Sequence, residues 1–282
     1  MSDHIAKDTI RKAVVADAFY TGNPHQLAQE IDTYLAHTTA EAISGEIVGL
    51  ISPHAGYMYS GQVAAEGYKQ VQGRNYSVVT VIAPSHYEPL PGISVFTGKG
   101  YETPFGLVPV DMELAEQLMA QDQRIVSSWI GHRKEHSLEV QLPFLQRVLT
   151  DFKLLPLVMG AQDYQLCQMV GAALAKVLQG KKALIVGSTD LSHFYPYEIA
   201  VRLDRVVIER VKAFDVEGLS RELESRTCEA CGGGPMMATM IACRQLGADS
   251  SSVLRYMNSG DVIRDRREVV GYLSAALYKK TA

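Results

Sequence analysis

Val78-Val-Thr-Val-Ile-Ala-Pro-Ser-His86 opens as an almost unbroken apolar run and closes on a histidine. A run without polar alternation suits a strand buried on both faces, the environment of a parallel sheet covered by helices. Two other segments repeat the pattern. Ile47–Ser52 reads as a strand and leads into Pro53-His54; Ala183–Gly187 reads as a strand and leads into Ser188-Thr-Asp190-Leu-Ser-His193. Ligands of α/β sheets bind outside the carboxyl ends of the strands, so three histidines at three strand ends can converge on one crevice.

Working outward, helical and strand patterns alternate along the chain. The expected helices are Gly61–Gln72, Met112–Gln121 behind an Asp111 cap, Glu135–Leu149, Tyr164–Gln179, Tyr197–Ala213, Asp215–Arg226, and one that Pro235 opens and that runs to Leu246. Further strands are expected at Ile93–Phe96 and Leu154–Met159, a hairpin or loop over Tyr101–Val110, and late, antiparallel strands at Val253–Asn258 and Val269–Tyr278. This alternation predicts the α/β class, with a mixed central sheet flanked by helices. No Pro/Ser-rich linker, low-complexity tract or repeat interrupts it, so residues 1–282 are expected to form one domain.

Composition agrees with an ordinary globular protein. Of 282 residues, 47% are apolar and 21% charged, which excludes disorder, collagen-like repeats and coiled coil as the main architecture. The net charge of −4 argues against a dedicated nucleic-acid binder. Met1–Lys12 is polar and no apolar run approaches membrane-spanning length, so the expectation is a cytoplasmic protein with no membrane partner. Its four cysteines are then reduced, with Cys167 and Cys243 read as small buried hydrophobes.

The remaining cysteines stand in Cys228-Glu-Ala-Cys231-Gly-Gly-Gly-Pro235. One CxxC lacks the second pair of a structural zinc site, and no thioredoxin-like strand precedes it. Cys231 is the better chemical candidate, because it stands just before a helix whose N-terminus favours a thiolate. In Glu135-His136-Ser-Leu-Glu139, His136 and Glu139 lie on adjacent turns; they read either as a network that orients ligands or contacts a substrate, or as a capped, solvated helix start. Ser188, Asp190 and His193 have the residue types of a hydrolase triad but no G-x-S-x-G elbow. His4, His25, His37 and His132 lie in polar segments and are expected at the surface.

Taken in order, Pro53-His-Ala-Gly-Tyr-Met-Tyr59-Ser-Gly61, Pro84-Ser-His86, Glu135-His-Ser-Leu-Glu139, Asp190-Leu-Ser-His193 and Cys231-Gly-Gly-Gly-Pro235 resemble the Memo family, that of the eukaryotic mediator of ErbB2-driven cell motility. Ala13–Tyr20 and Val269–Tyr272 fit as well, so the resemblance spans nearly the whole chain. It implies a fold similar to class III extradiol dioxygenases, with His54, His86 and Cys231 as metal ligands and Asp190 and His193 in the same pocket. In those dioxygenases the residue resembling His193 is a catalytic acid/base. It also implies a partnership with AMMECR-type and radical-SAM proteins. The dioxygenases hold iron with two histidines and a carboxylate; the thiolate here is softer and suits iron first, with copper or zinc as alternatives. The three glycines after Cys231, where eukaryotic members carry bulkier residues, imply a more open pocket floor.

Three functional expectations follow. The first is a metal-dependent redox enzyme in which His193 is the acid/base, Asp190 orients it, and Tyr59, His136 and Glu139 meet a small molecule. The second is a binding module that takes a peptide in the same crevice. The third is a zinc hydrolase, for which catalytic zinc keeps an open water position.

Overall fold

A computed structural model describes residues 5–281. The strands are β1 (Ile10–Arg11), β2 (Gly45–Ser52), β3 (Val78–Pro84), β4 (Ile93–Val95), β5 (Gly100–Thr103), β6 (Gly106–Pro109), β7 (Ile125–Ser127), β8 (Lys153–Met159), β9 (Ala183–Ser188), β10 (His193–Tyr195), β11 (Ser250–Asn258) and β12 (Val269–Lys280). The helices are α1 (Pro24–Ala36), α2 (Tyr57–Val71), α3 (Met112–Met119), α4 (His136–Glu139), α5 (Gln141–Val148), α6 (Tyr164–Leu178), α7 (Tyr197–Lys212), α8 (Val216–Glu224), α9 (Gly233–Gln245) and α10 (Ser259–Ile263).

Nine strands form the main sheet in the order β10-β12-β2-β9-β3-β8-β4-β7, with β11 added against β12. Its centre, β2-β9-β3-β8, is parallel. Antiparallel pairs flank it on both sides, β12 on β2 and β4 on β8. A separate sheet joins β1, β5 and β6. The architecture is the mixed α/β class expected from the sequence.

The apolar runs are explained by coverage on both faces. In β9, Ile185 belongs to one core cluster while Leu184 and Val186 belong to the other. In β3, Val79, Val81 and Ala83 face the second cluster and Val78 and Ile82 the first. Helices α6 and α9 cover one face, and α1, α2 and α5 the other. Burying both faces removes the polar/apolar alternation that a half-exposed strand would show.

Several elements differ from the sequence reading. The single helix expected over Glu135–Leu149 is two, α4 and α5, broken at Val140. Pro143 explains the break: it has no N–H to donate toward Glu139, and its ring crowds that carbonyl. Helix α1 was not anticipated, although Asn23 caps it by accepting from His25 N and Gln26 N, Pro24 follows, and Leu27, Ile31 and Leu35 make a buried stripe. Helix α9 starts at Gly233, before Pro235. His132, expected at the surface, is fully buried: Tyr101 Oη lies 2.5 Å from its Nδ1 and the Ser94 carbonyl 3.1 Å from its Nε2. Burial lowers its pKa to about 3, so it is a neutral core residue. His25 and His37 are exposed, and His4 lies outside the described residues.

Candidate functional site

Three neighbouring parallel strands end in register: Ser52 of β2 pairs with Ser188 of β9, and Ile82 of β3 with Gly187. Two residues past each strand stands a candidate, His54 after β2, His86 after β3 and Asp190 after β9. The strand ends therefore deliver His54, His86 and Asp190 to one rim. Helix α4 brings His136 to the same place.

The three imidazoles converge. Ring centroids are 5.1 Å apart for His54–His86, 5.4 Å for His54–His136 and 4.7 Å for His86–His136, the last pair stacked. One ligand nitrogen from each lies within 4.8 Å of the others, a set that could hold a metal ion. Phe19 packs on the His136 ring at 4.6 Å, and Tyr87 stands edge-on at 5.8 Å.

Hydrogen bonds fix which nitrogens are available. The Ser188 hydroxyl donates its one proton to the Ser137 carbonyl at 2.6 Å and accepts from Gln141 Nε2 at 2.8 Å. Its remaining lone pair must accept the contact with His54 Nδ1 at 2.9 Å, so Nδ1 carries the proton and Nε2 bears the lone pair. Burial, then the neighbouring His136, His86 and His193, lowers the His54 pKa well below its ordinary value, and the ring is neutral. Glu135 does the corresponding work for His86. Its Oε1 lies 2.8 Å from His86 Nδ1 and its Oε2 accepts the His86 backbone N–H at 2.6 Å. Burial opposes the Glu135 charge, but the His86 hydrogen bonds outweigh it and hold the carboxyl below the usual range. His136 Nδ1 lies 3.3 Å from the same oxygen, and burial lowers the His136 pKa to about 4. A carboxylate behind an imidazole fixes the ring and leaves the other nitrogen for a metal. Imidazoles beside a thiol are donors that fit a borderline divalent ion.

Cys231 reaches this set through His54, its Sγ lying 3.1 Å from His54 Nε2. The Asp190 backbone N–H donates to the same sulfur at 3.3 Å. Burial, then the charge of Asp190, raises the thiol pKa, so the expected stabilisation of a thiolate by the start of α9 is outweighed in the metal-free protein. All four cysteines are free thiols.

Of the glycines after Cys231, Gly233 and Gly234 line a cavity shared with Cys231 and His193, but Gly232 and Gly234 also approach their own protein closely. A Cβ on Gly232 would lie 2.1 Å from the Ser188 carbonyl oxygen, and one on Gly234 would lie 2.8 Å from Gln162 Cβ. At these two positions the absent side chain lets the backbone pack against its own protein. Gln162 clamps the loop, donating from Nε2 to the Cys231 carbonyl at 2.9 Å and accepting the Gly234 N–H at 2.7 Å. Gly232→Ala is accordingly expected to cost about 1–3 kcal/mol through overpacking against rigid backbone. A urea midpoint equal to that of the wild type would contradict this.

Other candidates are placed as follows. Asp190, expected to orient His193, is turned toward His54: its Oδ1 accepts the His54 backbone N–H at 2.8 Å, and Oδ2 is 4.0 Å from His54 Nε2. Because His54 is neutral, the latter is not an ion pair. Burial pushes the Asp190 pKa up to about 7. His193 lies on β10, its pKa lowered by burial and then by His86, and it lines a cavity of about 520 Å³ shared with Cys231, Leu191 and Met237. Tyr59 sits half-buried on the first turn of α2, in electrostatic range of Tyr272. Glu139 does not face the imidazoles. It is fully buried and accepts from Arg11, from the backbone N–H groups of Val14 and Val15, and from Tyr20 Oη. The residue that meets the imidazoles is Glu135, whose role went unassigned although the motif contains it.

Among the described residues, no helix is long and apolar enough to cross a membrane. The family described as "Memo-like protein" matches residues 11–276. A MEMO1 family protein of Nitrosopumilus maritimus is 36% identical over 268 residues, covering 93% of this chain and 98% of that protein. One from Methanothermobacter thermautotrophicus is 38% identical over 272 residues, with the same two coverages. One from Pyrobaculum aerophilum is 34% identical, covering 96% of this chain and 99% of the relative. Among solved structures, an uncharacterized protein of Escherichia coli K12 superposes with a TM-score of 0.57 at 13% identity, covering 82% of this chain and 99% of that one, which is a likeness of fold alone. With a family match over residues 11–276 and relatives of this identity along almost their entire length, the chain belongs to the Memo family.

Proposed function

We propose that this chain is a metal-dependent redox protein with one ion at the imidazole rim, held by His54 and His86 through Nε2 and by Cys231 as thiolate, with His136 beside them. The convergence of the three imidazoles carries the reading. The N–H donated to Cys231 Sγ supports a sulfur that bears negative charge when the ion is present. Imidazole with thiolate suits iron, copper or zinc; iron is our first choice. The bound ion would supply electron transfer and an open coordination position. His193, held neutral, is able to take a proton from a molecule in the adjoining cavity. Asp190 holds the His54 backbone, and Glu135 keeps the rings turned to the rim.

The test is anaerobic purification, reconstitution with ferrous iron, and elemental analysis. Wild type is expected to retain about one equivalent, and His54→Ala and Cys231→Ala at least about tenfold less. Equal, negligible iron in all three after reconstitution would sink the proposal. A second reading, docking of a peptide at the same rim, draws on the exposed rings of Tyr87 beside His86 and Phe194 beside His193. It would be preferred if the loaded protein consumed no oxygen while the metal-free protein bound a partner peptide.

A further inference from the structure

Glu139 belongs to the motif that carries His136, yet its carboxylate points away from the imidazoles. Its two oxygens gather one segment of chain. They accept from the Arg11 guanidinium, from Val14 N at 3.0 Å, from Val15 N at 3.1 Å and from Tyr20 Oη at 2.6 Å. Every one of these donors lies in the stretch from Arg11 to Tyr20. Arg11 is buried and reaches further along the same motif, donating to the carbonyls of His132 at 3.0 Å and Glu135 at 2.6 Å. The far end of the stretch is tied to α2, because the Phe19 carbonyl accepts the Tyr57 N–H at 2.8 Å. Pinned in this way, the stretch lays the Phe19 ring on the His136 ring, 4.6 Å between centroids.

We infer that Glu139 is a positioning residue for the imidazole rim: by tying residues 11–20 across α4 it places Phe19 against His136 and so sets the orientation of that ring. The ring is also stacked on His86, 4.7 Å between centroids, and its polar contacts are loose. Its Nδ1 is 3.3 Å from Glu135 Oε1, an oxygen that also faces His86 and Ser137, and 3.4 Å from Tyr87 Oη. Such contacts permit the ring to turn; the Phe19 ring, tilted 36° to it, and the stacked His86 ring together restrict that turning. The strap gives Glu139, whose hydrogen bonds all go to residues 11–20, a path to the rim: it runs through covalent chain from Val15 to Phe19, and the α4 backbone fixes its origin.

The inference has one readout that needs no metal and one that rests on the metal-site reading. In metal-free protein, the His136 ring proton shifts are measured by NMR in wild type, Phe19→Ala, Phe19→Tyr and Glu139→Gln. Phe19→Ala removes the ring-current contribution and defines the unstacked value. Glu139→Gln is expected to move the His136 shifts most of the way to that value, while Phe19→Tyr stays near wild type. In the second arm Co2+ is titrated by its absorption. Glu139→Gln and Phe19→Ala are each expected to weaken binding about tenfold or more, and the double variant to be no weaker than Glu139→Gln alone, because both act along one path. A purely structural Glu139 would lower the melting temperature and leave the His136 shifts and the Co2+ spectrum of the folded fraction unchanged, which overturns the inference. Should Glu139→Gln fail to fold, Val14→Pro, which removes one of the N–H groups tied to Glu139, takes its place with the same expected shift; wild-type His136 shifts there overturn it equally. If wild type takes up no Co2+, or His54→Ala binds it as well as wild type, the metal-site reading fails while the NMR arm still decides the positioning role.

Discussion

Arg11→Met is expected to destabilise the fold by about 3–5 kcal/mol, the cost of leaving a buried charge without its partner. Both members of the Arg11–Glu139 pair are at most 1% exposed, so the remaining carboxylate has no water to turn to. The loss extends beyond the pair. Arg11 Nε and Nη2 satisfy the carbonyls of His132 and Glu135, and its guanidinium stands 5.1 Å from the centre of the Tyr101 ring. Methionine fills the volume and supplies none of the donors. Lys12→Met, one residue on, is the internal control. The Lys12–Glu102 pair is 67% and 39% exposed, and exposed pairs are worth about 0–1 kcal/mol. Urea unfolding should therefore show a large fall in midpoint for Arg11→Met and almost none for Lys12→Met, with the slope unchanged. Equal midpoints would show that the buried pair contributes nothing and would remove the anchor on which the strap argument stands.

That contrast marks where sequence reasoning succeeded and where it stopped. The main sheet was legible because β2, β3 and β9 are buried on both faces, and such burial writes an unbroken apolar run into the chain. His54 and His86 were legible for the same reason, since strand ends in a parallel sheet lie side by side; the third histidine expected with them, His193, lies on β10, and the third ring of the cluster is His136 from α4. The Asp111 cap and the late antiparallel strands carry local signals of the same kind. Glu135 and Glu139 were harder. An uninterrupted helix from Glu135 would put His136 and Glu139 on one face, and that spacing pointed to Glu139 as the residue near the ligand. Both residues do share α4, yet Glu139 turns to a partner 128 positions earlier in the chain. Nothing local to either residue records that pairing. His132 failed in the same way: its polar neighbours suggested surface, while its actual partners, Tyr101 and Ser94, come from other strands. The glycines after Cys231 were read as space around a ligand; Gly233 and Gly234 do border the cavity, while the close approach to Ser188 and Gln162 was not written in the local pattern. Local patterns report burial and termini; they do not report which distant backbone or side chain completes a polar contact.

The second large effect is the pH dependence of metal uptake, and it identifies the third ligand. If the ion is held by His54, His86 and Cys231, binding must displace the thiol proton, because burial and then Asp190 keep the thiol pKa raised in the metal-free protein. Metal binding then releases one proton across the neutral range, and the apparent affinity rises about tenfold, or about 1.36 kcal/mol, per pH unit. The sign follows from linkage: the free protein carries the proton that the complex lacks, so raising pH favours the complex. His54 and His136 contribute little to this slope. His54 is held well below its ordinary value and His136 at about 4, so competition from their protonation enters only as pH falls far below neutrality. Were His136 rather than Cys231 the third ligand, no proton would have to leave the thiol, and the tenfold-per-unit dependence that the thiol contributes would be absent. A zinc titration at pH 6, 7 and 8 in two buffers of different protonation enthalpy measures both the slope and the proton count. We expect about a hundredfold tighter binding at pH 8 than at pH 6 in wild type, and a shallow dependence with weaker binding in Cys231→Ser. A wild-type affinity that does not change over that interval would exclude the thiolate and leave the three imidazoles as the metal-holding set.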